Sequence, residues 1–247
     1  MKALSEKKIA VERARMEGMW DFQRELVRSA WADQAQKPIP SRSIVIGVDE
    51  VGRGPLCGPV TAAACVLPAD CEILFLNDSK KLSEERRESL FAEIREKATA
   101  FGIGERDAGR IDAINILNAT FEAMQDAVQA CLSALLSDGN AEEAKIRSSV
   151  LVLVDGNKRI PNLPFPQLPV VKGDGKCPSI AAASICAKVT RDHEMYAYDK
   201  QYPGYGFAQN KGYGTAAHYE GLKALGLTPI HRRSFLKNFA AGNEAPF

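Results

Sequence analysis

The chain's apolar positions follow two different periods. Across residues 1–35, Met16, Met19, Trp20, Leu26, Val27 and Trp31 recur at helical spacing among charged neighbours, which predicts an amphipathic helix. Gln36-Lys37-Pro38-Ile39-Pro40-Ser41 breaks that pattern and reads as a short linker, so the helix is expected as an appendage. Strands are predicted at 44–49, 59–67, 99–105 and 150–154, the last a continuous Val-Leu run of the kind covered on both faces. Between them lie helical patterns. One opens at an N-cap, Ser83, with Glu84 and Glu85 in its first turn, and runs to about Lys97. Others span 111–136 and 178–200, and a proline-rich turn region occupies 156–169. Strands interleaved with helices predict an α/β three-layer domain. The expected organisation is an N-terminal helical extension at 1–40, a main domain at 41–237 and a short tail at 238–247.

Composition narrows this picture. A chain of 247 residues with 45% hydrophobic and 26% charged residues suits one large globular domain. No apolar stretch approaches the length of a membrane span, and the start has no signal-peptide core. Six cysteines without CxxC pairing predict reduced thiols in a cytoplasmic protein. The net charge of +1 hides an asymmetry. Residues 157–237 hold twelve lysines and arginines against five acids, which fits a polyanion lying against that part of the molecule.

The chemistry concentrates where strands end. Val45-Ile46-Gly47-Val48 runs into Asp49 and Glu50, then Gly52-Arg53-Gly54. Val154-Asp155-Gly156 repeats the logic, and Asp174 lies in a glycine loop ahead of the helix at 178. Carboxylates gathered at strand ends repel one another unless a cation neutralises them, and oxygen donors suit Mg²⁺ or Mn²⁺. Taken singly, each acid also reads as an ordinary turn residue. Neighbours on a regular strand point to opposite faces, so Asp49 and Glu50 are expected to share a site only if the strand ends or distorts there. His193, His218 and His231 are too scattered in sequence for a zinc triad, and are expected on the surface or in hydrogen bonds. Tyr202, Tyr205, Phe207 and Tyr213 alternate with glycines and Lys211, a mixture suited to stacking on bases or sugars.

The ordered blocks carry a resemblance. Gly47-Val48-Asp49-Glu50-Val51-Gly52-Arg53-Gly54-Pro55-Leu56, Asp78-Ser79-Lys80-Lys81-Leu82-Ser83, Asn115-Ile116-Leu117-Asn118-Ala119-Thr120, Ala187-Lys188-Val189-Thr190-Arg191-Asp192, Lys211-Gly212-Tyr213-Gly214-Thr215 and Pro229-Ile230-His231-Arg232-Arg233-Ser234-Phe235 resemble bacterial ribonuclease HII, the type 2 ribonuclease H. The resemblance runs from about Ser43 to Phe235. It implies a ribonuclease H-like fold, with a central mixed sheet flanked by helices and a helical C-terminal part. It also implies hydrolysis of the RNA strand of RNA–DNA hybrids and nicking 5′ of single ribonucleotides in duplex DNA, leaving 3′-hydroxyl and 5′-phosphate ends, as ribonucleotide excision repair requires. By the same resemblance Asp49, Glu50, Asp155 and Asp174 hold two Mg²⁺ or Mn²⁺ ions, with Asp49 bridging. Gly52, Arg53 and Gly54 sense the ribose, Tyr213 stacks on the sugar at the RNA–DNA junction, and Lys80, Lys81 and Ser184 contact phosphate or substrate.

Asp174 and the short N-terminus argue against ribonuclease HIII. The charged run at 105–110 and the long N-terminal helix depart from the expected pattern. A monomer without membrane attachment is expected. A sliding clamp remains an unsupported partner, since Asn243-Glu244-Ala245-Pro246-Phe247 is not a full clamp-binding motif. Two other classes compete. A non-catalytic hybrid-binding module would not need four acids, and a small-molecule phosphatase or nucleotide-binding α/β enzyme would not need the tyrosine–glycine–lysine loop.

Overall fold

The computed structural model describes residues 5–32, 43–69, 71–137 and 143–240. Five strands, β1 (Ile44–Val51), β2 (Val60–Val66), β3 (Ala100–Arg106), β4 (Val150–Asp155) and β5 (Gln167–Val170), form a mixed sheet in the order β3-β2-β1-β4-β5. β1–β2 and β2–β3 pair antiparallel, whereas β1–β4 and β4–β5 pair parallel. Alternation sorts their side chains into two cores. Val150, Val152 and Val154 of β4 join Ile46, Val48, Ala62 and Ala64 on one face, while Leu151 and Leu153 pack on the other.

The first face is covered by α3 (Ala108–Ile114) and α4 (Ile116–Ser137). α4 lies against β3 because Gly102 and Gly104 leave room for it: a Cβ there would sit 2.3 Å from the Ala127 carbonyl and 2.1 Å from that of Ala123. The single helix expected at 111–136 is thus two. Asn115 adopts φ 68° between them and its side chain accepts from the Leu117 and Asn118 amides, capping α4. The charged run at 105–110 has a structural use: Arg106 and Arg110 pair with Glu122, Arg106 also with Asp126, and Asp107 caps α3.

The second face is covered by α2 (Glu84–Lys97) and α6 (Pro178–Gln201), with α1 (Glu6–Ala32) docked beside them. Ser83 caps α2 as expected. The sequence left open whether this helix docks on the body or reaches a partner; in the structure α1 docks, with Met16, Met19 and Trp20 in one core cluster with the α6 alanines. The Gln23 Oε1 accepts from the Ser179 amide and hydroxyl, satisfying donors at the start of α6 that have no intrahelical partner. The linker at 36–41 and the tail beyond 240 lie outside the described residues.

α5 (Glu143–Ser149) leads into β4, and α7 (Phe207–Asn210), α8 (Ala216–Leu225) and α9 (Lys237–Ala240) build the C-terminal part around Leu56, Cys57, Met195, Tyr205 and Phe207. β5 lies in the region expected to be only turns. It tolerates Pro169 because it is an edge strand, where a missing N–H need not break a ladder. All six cysteines are free. No helix among the described residues is long and apolar enough to cross a membrane.

Candidate active site

The parallel partner β4 stops pairing at Val154, opposite Val48, but β1 runs on for three residues. Asp49 and Glu50 therefore stand at the C-terminal edge of the parallel half of the sheet, where open α/β sheets bind ligands. The strand neither ends nor distorts at these acids, contrary to expectation: Asp49, Glu50 and Val51 stay in register with Ala63, Ala62 and Thr61. The two carboxylates consequently leave opposite faces, Asp49 toward α6 and Glu50 toward α4. What unites them is Asp155, at the tip of β4 next door.

Electrostatics express this convergence. Asp49 is 6% exposed. Burial, then the charges of Glu50 and Asp155, push its pKa well above the usual carboxylate range, against a hydrogen bond from Ser184 on α6. Burial raises Glu50 as well, opposed by Arg53, whose Nη1 lies 3.3 Å from Glu50 Oε1. Asp174, in the tight turn 173–175, is raised by burial and then by Asp155 and Asp78. The Asp155 Oδ1 accepts from the Gly173 amide at 2.7 Å, which ties that turn to the tip of β4. Asp155 is thus the charge that Asp49, Glu50 and Asp174 all feel, and oxygen donors gathered around it suit a hard divalent cation, whose charge would offset the repulsion.

Of the remaining expected residues, Arg53, Lys80 and Ser184 interact with the acids. Lys80 and Lys81 are exposed on the turn Ser79–Lys81, and the positive charge of Lys80 favours ionised Glu50 and Asp174. The Ser184 Oγ lies 3.0 Å from the Ser79 Oγ, linking that turn to α6 beneath Asp49. On the Glu50 side a cleft is lined by Glu50, Arg53, Thr120, Asp155, Gly156 and Lys158.

The Gly52–Gly54 loop is shaped from behind. Arg232, fully buried, donates to the carbonyls of Gly52, Arg53, Pro55, Gly58 and Pro59 at 2.6–3.1 Å. Arg191 donates to the carbonyls of Cys57, Pro59 and Lys211. Burial and Arg191 lower the Arg232 pKa to about 9, so the guanidinium stays cationic at neutral pH. In a trans peptide the N–H points opposite its carbonyl. Carbonyls of Gly52 and Arg53 that face Arg232 therefore turn the Arg53 and Gly54 amides outward. Gly52 must be glycine twice over, for its φ of 87° and because a Cβ would lie 2.3 Å from Arg191 Nε. Tyr213 is 45% exposed, and its ring edge lies 3.4 Å from where a Gly54 Cβ would be.

Sequence reasoning missed these supports. Arg191 and Arg232 belong to the basic count of residues 157–237, yet both are internal, so the outward charge of that third is smaller than expected. Arg191 was detectable: it falls at helical spacing from Ile180, Ser184 and Ala187 on the buried stripe of α6. His218 and His231, though scattered in sequence, meet with their Nε2 atoms 3.1 Å apart beside the Cys57 sulfur, while His193 stands apart on Glu88.

Known proteins resemble this chain over most of its length. A family model described as Ribonuclease HII matches residues 46–238. A curated relative, Ribonuclease HII from Lachnoclostridium phytofermentans, is 49% identical over 217 residues, covering 88% of this chain and 80% of the relative. Among solved structures, the ribonuclease H2 from Pyrococcus horikoshii OT3 superposes with TM-score 0.56 at 25% identity, covering 77% of this chain and 92% of that one. A mutant protein of Bst-RNase HIII shares the fold, with TM-score 0.59 at 18% identity over 83% of this chain and 71% of its own.

Proposed function

Since the chain belongs to the ribonuclease HII family, a ribonuclease H acting on RNA–DNA hybrids, we propose that it also nicks DNA duplexes 5′ of a single embedded ribonucleotide. The observation that carries this reading is the Tyr213 ring flanking Gly54, its edge 3.4 Å from where a Cβ of that glycine would be, within a loop whose amides face outward beside the acids. A reader of the ribose and a stacking ring side by side fit a ribonucleotide followed by a deoxynucleotide.

In this reading Asp49, Glu50, Asp155 and Asp174 hold two divalent cations, Mg²⁺ or Mn²⁺. Such ions supply Lewis-acid activation of the attacking water and charge stabilisation at the leaving oxygen. The chain's own groups do the rest. The outward amides of Arg53 and Gly54 meet the 2′-hydroxyl, the group that separates RNA from DNA. Tyr213 stacks on the next sugar. Lys80 and Lys81, with Ser184 behind them, steady the phosphates. Water attacks the phosphorus on the 5′ side of the ribonucleotide, the bond to the preceding 3′-oxygen breaks, and the products carry 3′-hydroxyl and 5′-phosphate ends.

The test is an end-labelled duplex carrying one ribonucleotide, incubated with Mg²⁺ or Mn²⁺ and mapped at single-nucleotide resolution. A cut immediately 5′ of the ribonucleotide, absent from all-DNA duplex, is expected. Cutting confined to long hybrids would overturn the proposed junction specificity.

A further inference from the structure

The two imidazoles that meet behind Tyr213 have their hydrogens fixed by their neighbours. The His231 Nδ1 receives the Thr228 amide N–H at 2.9 Å and lies 2.8 Å from the Thr228 hydroxyl. An amide N–H only donates, so this nitrogen presents its lone pair. The His218 Nδ1 lies 2.9 Å from the Tyr213 carbonyl, which only accepts, so this nitrogen carries hydrogen. Neutral rings then leave one arrangement for the 3.1 Å contact between them: the His231 Nε2–H donates to the His218 Nε2. The result is a directed chain from the Thr228 amide through His231 and His218 to the Tyr213 carbonyl. Both rings are enclosed, with Tyr205 and Phe207 against them. Burial lowers both pKa values, that of His231 to about 4, in keeping with neutral rings.

The same atoms, with the Cys57 sulfur, cluster closely enough to suggest a metal site. The donor chemistry opposes it. Ligation through the His231 Nε2 would displace its only proton and leave an anionic imidazolate, because the Nδ1 is already a lone pair. Burial also pushes the Cys57 thiol up to about 12, and two guanidinium groups lie beside it.

The next residue along is Arg232, which grips the Gly52–Gly54 loop. One dipeptide therefore holds both substrate-reading elements, the loop through Arg232 and Tyr213 through His231 and His218. The Cys57–His231 bridge, the Leu56 amide on the Gly212 carbonyl and the Arg232 amide on the Leu56 carbonyl join the same segments. We propose that His218 and His231 are positioning residues for junction selection: their relay anchors the Tyr213 backbone and, with Arg232, sets the spacing of its ring from the Gly52–Gly54 loop. This rests on the proposed role of Tyr213.

Two measurements on the full chain test it. The first is a long-range proton–nitrogen NMR spectrum of ¹⁵N-histidine protein at pH 7, assigned with single variants. It should show His218 as the Nδ1–H tautomer and His231 as the Nε2–H tautomer. A cationic ring, or His218 as the Nε2–H form, overturns the relay. The second is the ratio of cleavage rates on a single-ribonucleotide duplex and on a continuous RNA–DNA hybrid. His218→Leu should lower this ratio roughly fivefold, the effect of one lost anchoring hydrogen bond. His218→Asn should recover most of it, because its amide can donate from near the Nδ1 position. Equal ratios for these two variants, or an equal fall on both substrates, overturn the positioning role. Tyr213→Ala, run alongside, separates the two ideas. An unchanged ratio there refutes the junction reading itself, whereas a lowered ratio with His218→Leu at the wild-type value refutes the relay alone.

Discussion

Replacing Gly47 by alanine should damage the acid site without touching an acid. Gly47 and Asp49 point the same way from β1, toward α6, and a Cβ on Gly47 would sit 2.2 Å from the Ser179 carbonyl carbon and 2.4 Å from the Ile180 nitrogen. Ordinary contact begins near 3.4 Å, and both obstacles are backbone, so α6 has to retreat by about 1 Å. Overpacking of this kind costs roughly 1–3 kcal/mol, and a backbone clash belongs at the upper end. For a chain of 247 residues, about 3 kcal/mol lowers Tm by roughly 6–12 °C. The retreat also draws Ser184 from Asp49 and loosens the Ser179–Gln23 bonds. A 1 Å misplacement near reacting groups costs on the order of 10²-fold in rate. The assay pairs thermal unfolding by circular dichroism with kcat on a single-ribonucleotide duplex. Gly18→Ala is the control: that glycine lies inside α1 with nothing within 4 Å of a new Cβ, so it should gain about 0.5–1 kcal/mol. A Gly47→Ala protein that melts like wild type would refute the packing argument, and one that melts early yet cleaves normally would refute the link from helix approach to acid geometry.

Asp49→Asn should abolish cleavage and yet raise the Tm of the metal-free protein at pH 7.5. Burial and like charge raise the folded-state pKa of Asp49, so the fold binds its proton more tightly than the unfolded chain does. Stability therefore falls as pH rises from the unfolded pKa through the folded one, and the advantage of asparagine should fade toward pH 4; equal or lower Tm across that range would sink this reading of the cluster. Mn²⁺ at a hundred times its Kd should stabilise the wild type by about 2.7 kcal/mol, and a Tm that ignores the ion, or an equal shift in Asp49→Asn, would remove these acids from the metal site. The logarithm of kcat/KM should fall linearly with the logarithm of salt concentration, by about 0.9 per phosphate neutralised. A flat response would rule out phosphate contacts by the surface lysines.

The sequence announced most of the elements because their patterns depend on local chemistry. Val150–Val154 could be read as a doubly covered strand from composition alone, and Ser83 as a cap from its neighbours. The acids were legible for the same reason, each marking the end of an apolar run or a glycine loop. What stayed hidden depends on partners far along the chain. Asn115 resembles any polar helix residue until its positive φ divides the helix. β5 was masked by prolines that only an edge position makes tolerable. The separate faces of Asp49 and Glu50 require knowing that β1 outruns β4. Arg191 and Arg232 look like surface charge in any count of residues; helical spacing hints at burial for Arg191 alone, and only the folded chain reveals that the partners of both are carbonyls inside.

The grip of Arg232 on the Gly52–Gly54 loop also bears on the order in which the molecule is made. The two are separated by some 180 positions, and all four acids precede the clamp. A ribosome thus delivers the whole acid group long before the residue that turns the loop amides outward. Until Arg232 arrives, the carbonyls of Gly52, Arg53 and Pro55 lack the cation that faces them inward. If the loop reads the 2′-hydroxyl as proposed, that recognition is among the last properties the nascent chain acquires.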